Sequence, residues 1–473
     1  MAIKRYVAEK DTTITNAYRY NRTRAKNANM GASDILEVYS IYGQSVSGTI
    51  EKSRVLVQFP VNNIISDRNQ KLIAGSGSCQ FILRLSNAPH GDSTMENVVL
   101  SVSPLSRSWS EGVGLDMEEY LDVGFANWMS ASKTDGWSVE GGDVLSSSYD
   151  GALENVTDDL EIDITSLVEQ WIGGTVPNNG VLVALSSSLE DGTESYYTKK
   201  FFARRSQYFY KRPIIEARFD SSIKDNRRKF YASSNLMGQA DNTNTLFLYN
   251  SVRGEYKNIP SIGTGSMLVS LYSGGVYDGP SGLPLALNNN TVLSVTGGLY
   301  STGIYTASMT VSGGNFRYIY DVWSDLSGNQ LHTGSAIEIL RFEAESQVEQ
   351  PEYILSMPLL KQSYSTKENA KLRVTVKNRQ WDSNIYSVAS YEPDTTIIEN
   401  LFYKIERLTD GYEVFDYGTG SFKHTLCSYD DVGNYFNLDM SLMEPGYSYR
   451  IKYGYTYNGD FYELKDAFKF RVD

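Results

Sequence analysis

The stretch Ser106-Arg107-Ser108-Trp109-Ser110-Glu111-Gly112, followed by Asn127-Trp128, Trp137-Ser138-Val139-Glu140-Gly141-Gly142-Asp143 and Ile162-Asp163-Ile164-Thr165-Ser166-Leu167-Val168-Glu169-Gln170-Trp171, decides how the chain is read. Four of the six tryptophans fall in it, set among Gly pairs, Asp and Ser, which are turn-forming residues. Large apolar rings between turns, with no sustained helical period, are the mark of a strand-and-turn domain. Only Ile164 to Trp171 repeats at i, i+3, i+4, i+7, and it predicts one short helix, capped by Asp163.

Strand signals surround this stretch. Asp11 to Tyr18, Ile35 to Tyr39, Ser53 to Phe59, Ser78 to Leu85 and Val98 to Pro104 are β-branched or alternating, and Val181 to Ser186, Tyr196 to Ala203 and Ile214 to Phe219 follow. The rings of Trp109, Trp128, Trp137 and Trp171 have two uses, stacking on sugars from a strand face or filling a core; recurrence with the strand pattern favours the core.

At 473 residues the chain is too long for one sandwich, so several domains are expected. The polar, charged run Ser221 to Lys229 and the acidic run Glu343 to Glu349, ending at Pro351, read as linkers. They divide the chain into 1–220, 221–345 and 346–473. In the second part, strands are expected at Thr245 to Asn250, Met267 to Tyr272, Thr291 to Val295 and Ile304 to Val311, with a hairpin of Phe316 to Trp323 and Gln330 to Gly334 about Ser327-Gly328-Asn329. Gly298 to Val311 looks like the tyrosine-bearing strand of an immunoglobulin-like sandwich. In the third, Phe402 to Leu408 and Tyr412 to Tyr417 flank Asp410-Gly411, and Tyr447 to Tyr457 meets Phe461 onward across Asn458-Gly459, the strongest short hairpin signal. Leu442-Met-Glu-Pro445-Gly446-Tyr-Ser-Tyr449 resembles the tyrosine corner of fibronectin type III domains. The fold class read from these signals is all-β, a jelly-roll sandwich followed by two immunoglobulin- or fibronectin-like sandwiches.

Composition narrows function. A formal net charge of -13 provides no field for nucleic acid. No segment has the length or apolarity of a membrane span, and the N-terminus lacks the apolar core of a secretory signal, so a soluble, non-exported protein is expected. Cys79 and Cys427 offer no disulfide framework and read as buried small hydrophobes. His90, His332 and His424 stand apart without ligand spacing, and no nucleophile has a neighbouring base, so the chain reads as non-enzymatic. Glu118-Glu119 and Asp158-Asp159 read as solvated loops, and the Gly pairs at Gly141, Gly274, Gly297 and Gly313 as turns. The carboxylates Asp116, Glu118, Glu119 and Asp122 make one calcium candidate, although they lack the Asp-x-Asp-x-Asp-Gly grammar; no other cofactor is indicated.

Tyr outnumbers Phe by 35 to 18, which suits half-exposed strand faces and contact surfaces. Tyr196, Tyr197, Tyr208 and Tyr210, interleaved with Lys199, Lys200, Arg204 and Arg205, are the candidate contact residues, for protein or for glycan. The basic run Arg19 to Lys26 suits an acidic neighbour.

An opening Asp-Thr-x-Ile strand, Asn29-Met-Gly before a Leu-x-Val strand, Ser53-Arg-x-Leu-Val-x-Phe59, Trp109-x-Glu-Gly, Trp137 near Gly-Gly-Asp, Asp163-Ile-Thr-x-x-Val-x-x-Trp171, Asn178-x-Gly-Val-Leu-Val and Arg212-Pro-x-Ile-x-x-x-Phe219 occur here in one order. That order resembles the DNRLRE, or disaggregatase-related, jelly-roll modules, some of which bind carbohydrate; the match covers Asp11 to Asp220. The segment between Glu111 and Trp137 is longer than in that pattern. The whole chain resembles structural proteins of tailed bacteriophages in which such a module precedes immunoglobulin-like domains. The resemblance implies a virion component of head, neck, tail or baseplate, assembled in the host cytoplasm, with other virion proteins or further copies of itself as partners. It also admits a host-surface glycan, and the alternative of a carbohydrate-binding adhesin.

Overall fold

The computed structural model describes the chain except at positions 1, 92, 239, 290, 313, 343–349 and 380–395; the expected linker Glu343 to Glu349 lies outside the described residues. The fold is all-β. In the first module an antiparallel sheet of β1 (Ile3–Val7), β11 (Ile214–Phe219), β5 (Cys79–Leu85) and β8 (Leu160–Asp163), in that order, faces a seven-stranded sheet. The latter runs β10 (Tyr196–Phe202), β3 (Ile35–Tyr42), β4 (Ile50–Gln58), β9 (Val181–Leu185), β6 (Val98–Pro104), β7 (Tyr149–Leu153), with β2 (Lys10–Thr15) paired to β4. This is the jelly-roll sandwich, and alternate residues such as Val55, Val57, Val181, Val183, Phe81 and Leu83 fill its core.

The five apolar residues of β9 are all buried because both faces of its sheet are covered. Val181, Val183 and Leu185 point inward, while Leu182 and Ala184, with Ile14 and Leu56, pack outward against Trp109, Trp128 and Trp137. Three of the four tryptophans thus form a second core under the long insertion, and Trp171 alone joins the main one.

Two nine-residue helices and a single α-helical turn, Ser187–Glu190, lie among the described residues of this module where one helix was expected. Thr165–Gly173 is present, but Asp163 ends a strand and its carboxylate takes the Thr165 N–H (2.9 Å) without capping the helix, whose N-cap position is Ile164. Val61–Asn69, directly after Pro60, has a weak apolar pattern and buries only Val61 and Ile64. Tertiary contact holds it, through the paired hydrogen bonds of Arg68 to Glu169 on the other helix (2.8 and 2.6 Å).

Among the described residues, eight strands of the second group form one continuous sheet curled about its own core, and Ser251–Val252 with Glu255–Tyr256 make a separate hairpin. The pivot of the sheet is Val295–Ser301, which pairs through Val295 to Gly297 with Met267–Gly274 and through Gly298 to Ser301 with Ile304–Met309. Gly297 is therefore a strand glycine at a crossing, not a turn: a Cβ there would meet the Thr306 carbonyl oxygen at 2.8 Å. The strand expected at Thr291 to Val295 is displaced towards the C-terminus for the same reason. Tyr305 is fully buried; its hydroxyl accepts from the Ile259 N–H (3.0 Å) and donates to the Gly263 carbonyl (2.8 Å), which pins the loop crossing the end of the sheet. The hairpin about Gly328 forms, with Val322 opposite Thr333.

The third group is a sandwich of two sheets. One contains Tyr353–Ser356, Asn369–Asn378, Asn434–Asp439 and Ser428–Tyr429; the other is built on the long hairpin Tyr447–Tyr457 and Asp460–Val472. At its tip Asn458 and Gly459 both adopt positive φ, 51° and 90°. The Tyr449 hydroxyl donates to the Glu444 carbonyl at 2.8 Å, which closes the tyrosine corner.

Ser221 to Lys229, expected to be a solvated linker, is docked on both later groups. Lys224 makes a parallel bridge to Tyr429, and Ile223 and Tyr429 exchange contacts there through the Tyr429 N–H to Ile223 carbonyl bond (2.9 Å). Arg227 turns the other way and grips Asp321 with two hydrogen bonds (2.7 and 2.6 Å), while Trp323 donates its indole N–H to the same carboxylate (2.6 Å). Asp225 and Arg227 are paired in the interior and Lys229 meets Glu399 (2.9 Å) at the surface, so the hydrophilicity of the run does not mark a free linker. Removing one partner of a buried pair leaves the other uncompensated. Asp321→Ala is therefore expected to lower unfolding stability by about 3–5 kcal/mol in urea titration; a loss under about 1 kcal/mol would contradict the assignment.

Candidate functional site

Two surfaces concentrate the chain's unusual chemistry. One is the insertion that covers the tryptophans. Its root is Asn29, fully buried, whose side-chain amide donates to the carbonyls of Glu111 (2.6 Å) and Ala126 (2.8 Å) while its oxygen accepts from Gly31 and Gly114 (3.1 Å each). The glycines are obligatory here: a Cβ on Gly31 would lie 2.1 Å from the Glu111 carbonyl oxygen and one on Gly114 1.9 Å from that of Asn29. Trp137 and Trp109 donate their indole N–H groups to Asn127 and Asn179 carbonyls (2.8 and 2.9 Å). Arg54, on the outer face of β4, binds Glu190 through two nitrogens (2.7 Å each), donates to the Gly141 carbonyl and lies over the Trp128 ring.

On this fixed base the loop turns several apolar side chains outward among its charged ones. Val113, Leu115, Tyr120, Val123, Met129 and Val139 are between 49% and 68% exposed, and the Leu115 N–H bond to the Tyr120 carbonyl (2.8 Å) brings the two arms together. Tyr20 stands beside them, 99% exposed, its N–H held by Glu118 at 2.7 Å. The calcium candidates do not converge. Asp116 accepts the N–H groups of Glu118, Glu119 and Tyr120 (2.9, 2.8 and 3.1 Å), Asp122 accepts that of Val113 (2.6 Å), and Glu118 is spent on Tyr20. Against a small burial cost, those three N–H bonds hold the Asp116 carboxyl below its ordinary value. Among the described residues no group of three His, Cys, Asp or Glu is placed to hold a metal ion. These carboxylates build the loop.

The tyrosine and arginine set divides. Tyr196 packs half-buried on the main core with its hydroxyl on Glu194 (3.0 Å), and Tyr197 is exposed on the same edge strand. Arg204 is committed to Glu111 (2.9 and 2.8 Å), with Arg205 3.8 Å from the same carboxylate, so both brace the root of the insertion. Tyr208 stands free edge-on to Phe202, with Lys211 over both rings. Tyr210 lies apart, in a cleft against the third module. Lys199, read as part of the exposed set, is wholly buried.

That cleft is the second surface. Glu216, 1% exposed in its side chain, receives Arg5 (2.8 Å), Arg218 (2.7 Å) and Arg84 (3.4 Å). Arg5 continues to the Leu442 carbonyl (3.0 Å) and Arg84 to the Tyr412 hydroxyl (3.1 Å), while Ile3 enters the core of the third module. Although burial raises the Glu216 pKa, the guanidiniums of Arg5, Arg84 and Arg218 prevail and hold it far below the ordinary range. Beside this hub a cavity of about 270 Å³ opens between Arg84, Asn87, Asp159, Tyr210, Tyr412 and Glu444. A more polar one of about 500 Å³ extends past Arg218 to His424, which burial, then Arg218, push down to about 4. Asp159, read as a solvated loop residue, is half-buried here. The missed signal was legible: Arg84 is the one charge inside the apolar strand Phe-Ile-Leu-Arg-Leu, and Glu216 and Arg218 stand inside Ile-Ile-Glu-Ala-Arg-Phe. Cys79 and Cys427 are free and buried, as expected. No helix among the described residues is long and apolar enough to cross a membrane.

No family model matches the chain, and no curated protein matches it. Among solved structures, the chicken CNTN1 FN1–FN3 domains align at 10% identity over 84% of this chain and 96% of that one, with a TM-score of 0.15, too loose an overlap to bear on fold or function.

Burial raises two carboxyls to about 7: Asp11, next to the Arg204–Glu111 pair, and Asp225, beside Arg227 and Asp321. Both bind a proton more tightly folded than unfolded, so stability is lost as pH rises from the ordinary carboxylate value through about 7. Urea midpoints are expected to fall between about pH 5 and about pH 8, and Asp11→Asn to remove part of the slope. A level or rising midpoint over that interval would contradict this.

Proposed function

We propose that this chain is a non-enzymatic structural protein of a bacteriophage particle, and that it docks another virion subunit through the insertion on its first module. The observation that carries this reading is the insertion itself. A loop braced by a buried asparagine, three tryptophans and two ion-paired arginines presents apolar side chains outward. A rigid base under exposed Val, Leu, Met and Tyr lowers the ordering cost of binding, and residues of this kind belong to interface centres. The resemblance of the chain to tailed-phage structural proteins supplies the setting: assembly in the host cytoplasm, retention on the particle, and many copies whose individually modest contacts add by effective concentration.

In this reading the acidic residues of the loop keep it soluble before assembly and shape it, and the middle and third modules set its distance from the particle body. The test is incorporation. Particles assembled with a Tyr120→Asp, Val123→Asp double variant are expected to carry at least about tenfold less of the chain than wild type, while the free variant keeps the wild-type melting temperature. Equal incorporation would overturn the assignment of this surface. Absence of the wild-type chain from purified particles would overturn the virion reading as a whole.

A further inference from the structure

Lys199 is the only lysine among the buried residues described, and its surroundings are unusual for a cation. Its Nζ touches the Val156 carbonyl (2.5 Å), the Asp158 carbonyl (2.7 Å) and the Asn87 carboxamide oxygen (2.8 Å), none of them charged, and lies 5.5 Å from the Phe201 ring centre. Backbone pairing fixes the approach of the two side chains. Asn87 bridges Phe201, the Ala88 N–H donates to the Lys200 carbonyl (2.9 Å), and the Phe202 N–H to the Ser86 carbonyl (3.0 Å). The Asp159 carboxylate takes the Asn87 backbone N–H at 2.8 Å, which puts an acid beside that residue and within electrostatic reach of Lys199.

Such a setting suits an amine that acts as a nucleophile. Burial pushes Lys199 down to about 8, so an appreciable share is neutral near physiological pH, and burial pushes the Asp159 carboxyl up, towards its protonated form. A neutral amine has two N–H donors and one lone pair. The hydrogen bond from Nζ to Asn87 Oδ1 (2.8 Å) holds the nitrogen one bond from Cγ; once the amine is neutral, with its two N–H groups kept by Val156 and Asp158, it has no proton for Oδ1 and its lone pair is free to turn onto Cγ.

We propose that Lys199 and Asn87 join after folding in an intramolecular amide cross-link from Nζ to Cγ. The Nζ lone pair adds to Asn87 Cγ, the Cγ–Nδ2 bond breaks, and Nδ2 leaves as ammonia. The proton that Nζ gives up is the one that ammonia gains, with Asp159 carrying it between them. One amide replaces another, so nothing is oxidised or reduced and no co-reactant is required. The bond ties edge strand β10 to the segment after β5, residues 112 apart in sequence. It constrains the unfolded chain as a disulfide would, in a protein whose two cysteines are free and buried.

Intact-mass spectrometry of the purified full chain tests this directly. Wild type is expected to be lighter than its sequence by one ammonia, allowing for removal of Met1, and to release on proteolysis a branched peptide containing both Asn87 and Lys199. Lys199→Met and Asn87→Ala are expected at full mass, and Asp159→Asn at full mass or with only a minor cross-linked fraction. Wild type at full sequence mass would overturn the proposal, whatever the variants do. So would an ammonia deficit confined to a linear peptide, which marks a cyclic imide at an asparagine. Complete cross-linking in Asp159→Asn would overturn the role given to that carboxyl.

Discussion

The carboxylate of Glu216 is the constraint on which the arrangement of the chain depends. An ionised carboxylate taken out of water costs several kcal/mol, about the size of a small domain's net stability. Three guanidiniums offset that cost, and two of them, Arg5 and Arg84, complete their own hydrogen bonding only on the third module, at Leu442 and Tyr412. The hub is thus fully satisfied only when the C-terminal sandwich is seated against the N-terminal one. Ile3 adds an apolar contribution to the same contact by entering the third module's core.

The middle of the chain is held by a second network of the same kind. Arg227, fixed within the curled sheet to Asp321, whose carboxylate Trp323 also holds, sits in a segment whose preceding residues pair with Tyr429 of the third sandwich. The third sandwich is therefore the common neighbour of the other two. The insertion on the first module is supported independently, by Asn29, Arg54 and the tryptophan layer, and its outward face is presented by a frame with little freedom. A rigid frame of this kind accords with a role in docking, where preorganisation counts for more than buried area.

Much of the fold was legible in the residues because local chemistry and global structure agree. Asn458-Gly459 tolerates the positive φ its hairpin needs, Tyr449 closes its corner, and alternation in Val98–Pro104 matches its burial. Legibility failed where burial came from tertiary pairing. Ser221 to Lys229 looked solvated because its charges were counted without their partners, and Val61–Asn69 lacks a helical signature because Arg68 and Glu169 hold it. The contact residues failed for a related reason: alternation along β10 puts Lys199 inside while Lys200 pairs with Glu37 outside, and Arg204 meets Glu111 from a distant loop. The tryptophans were correctly read as core, yet their division between two faces of one sheet depends on the insertion folding back. No spacing in the sequence encodes that.

The claim that the N- and C-terminal sandwiches form one unit around Glu216 is tested most directly by small-angle X-ray scattering of the intact chain at low and high salt. Buried pairs are screened far less than surface ones, so the account predicts one compact profile, unchanged between about 0.1 M and about 1 M salt. An elongated profile, or one that lengthens as salt rises, would contradict it.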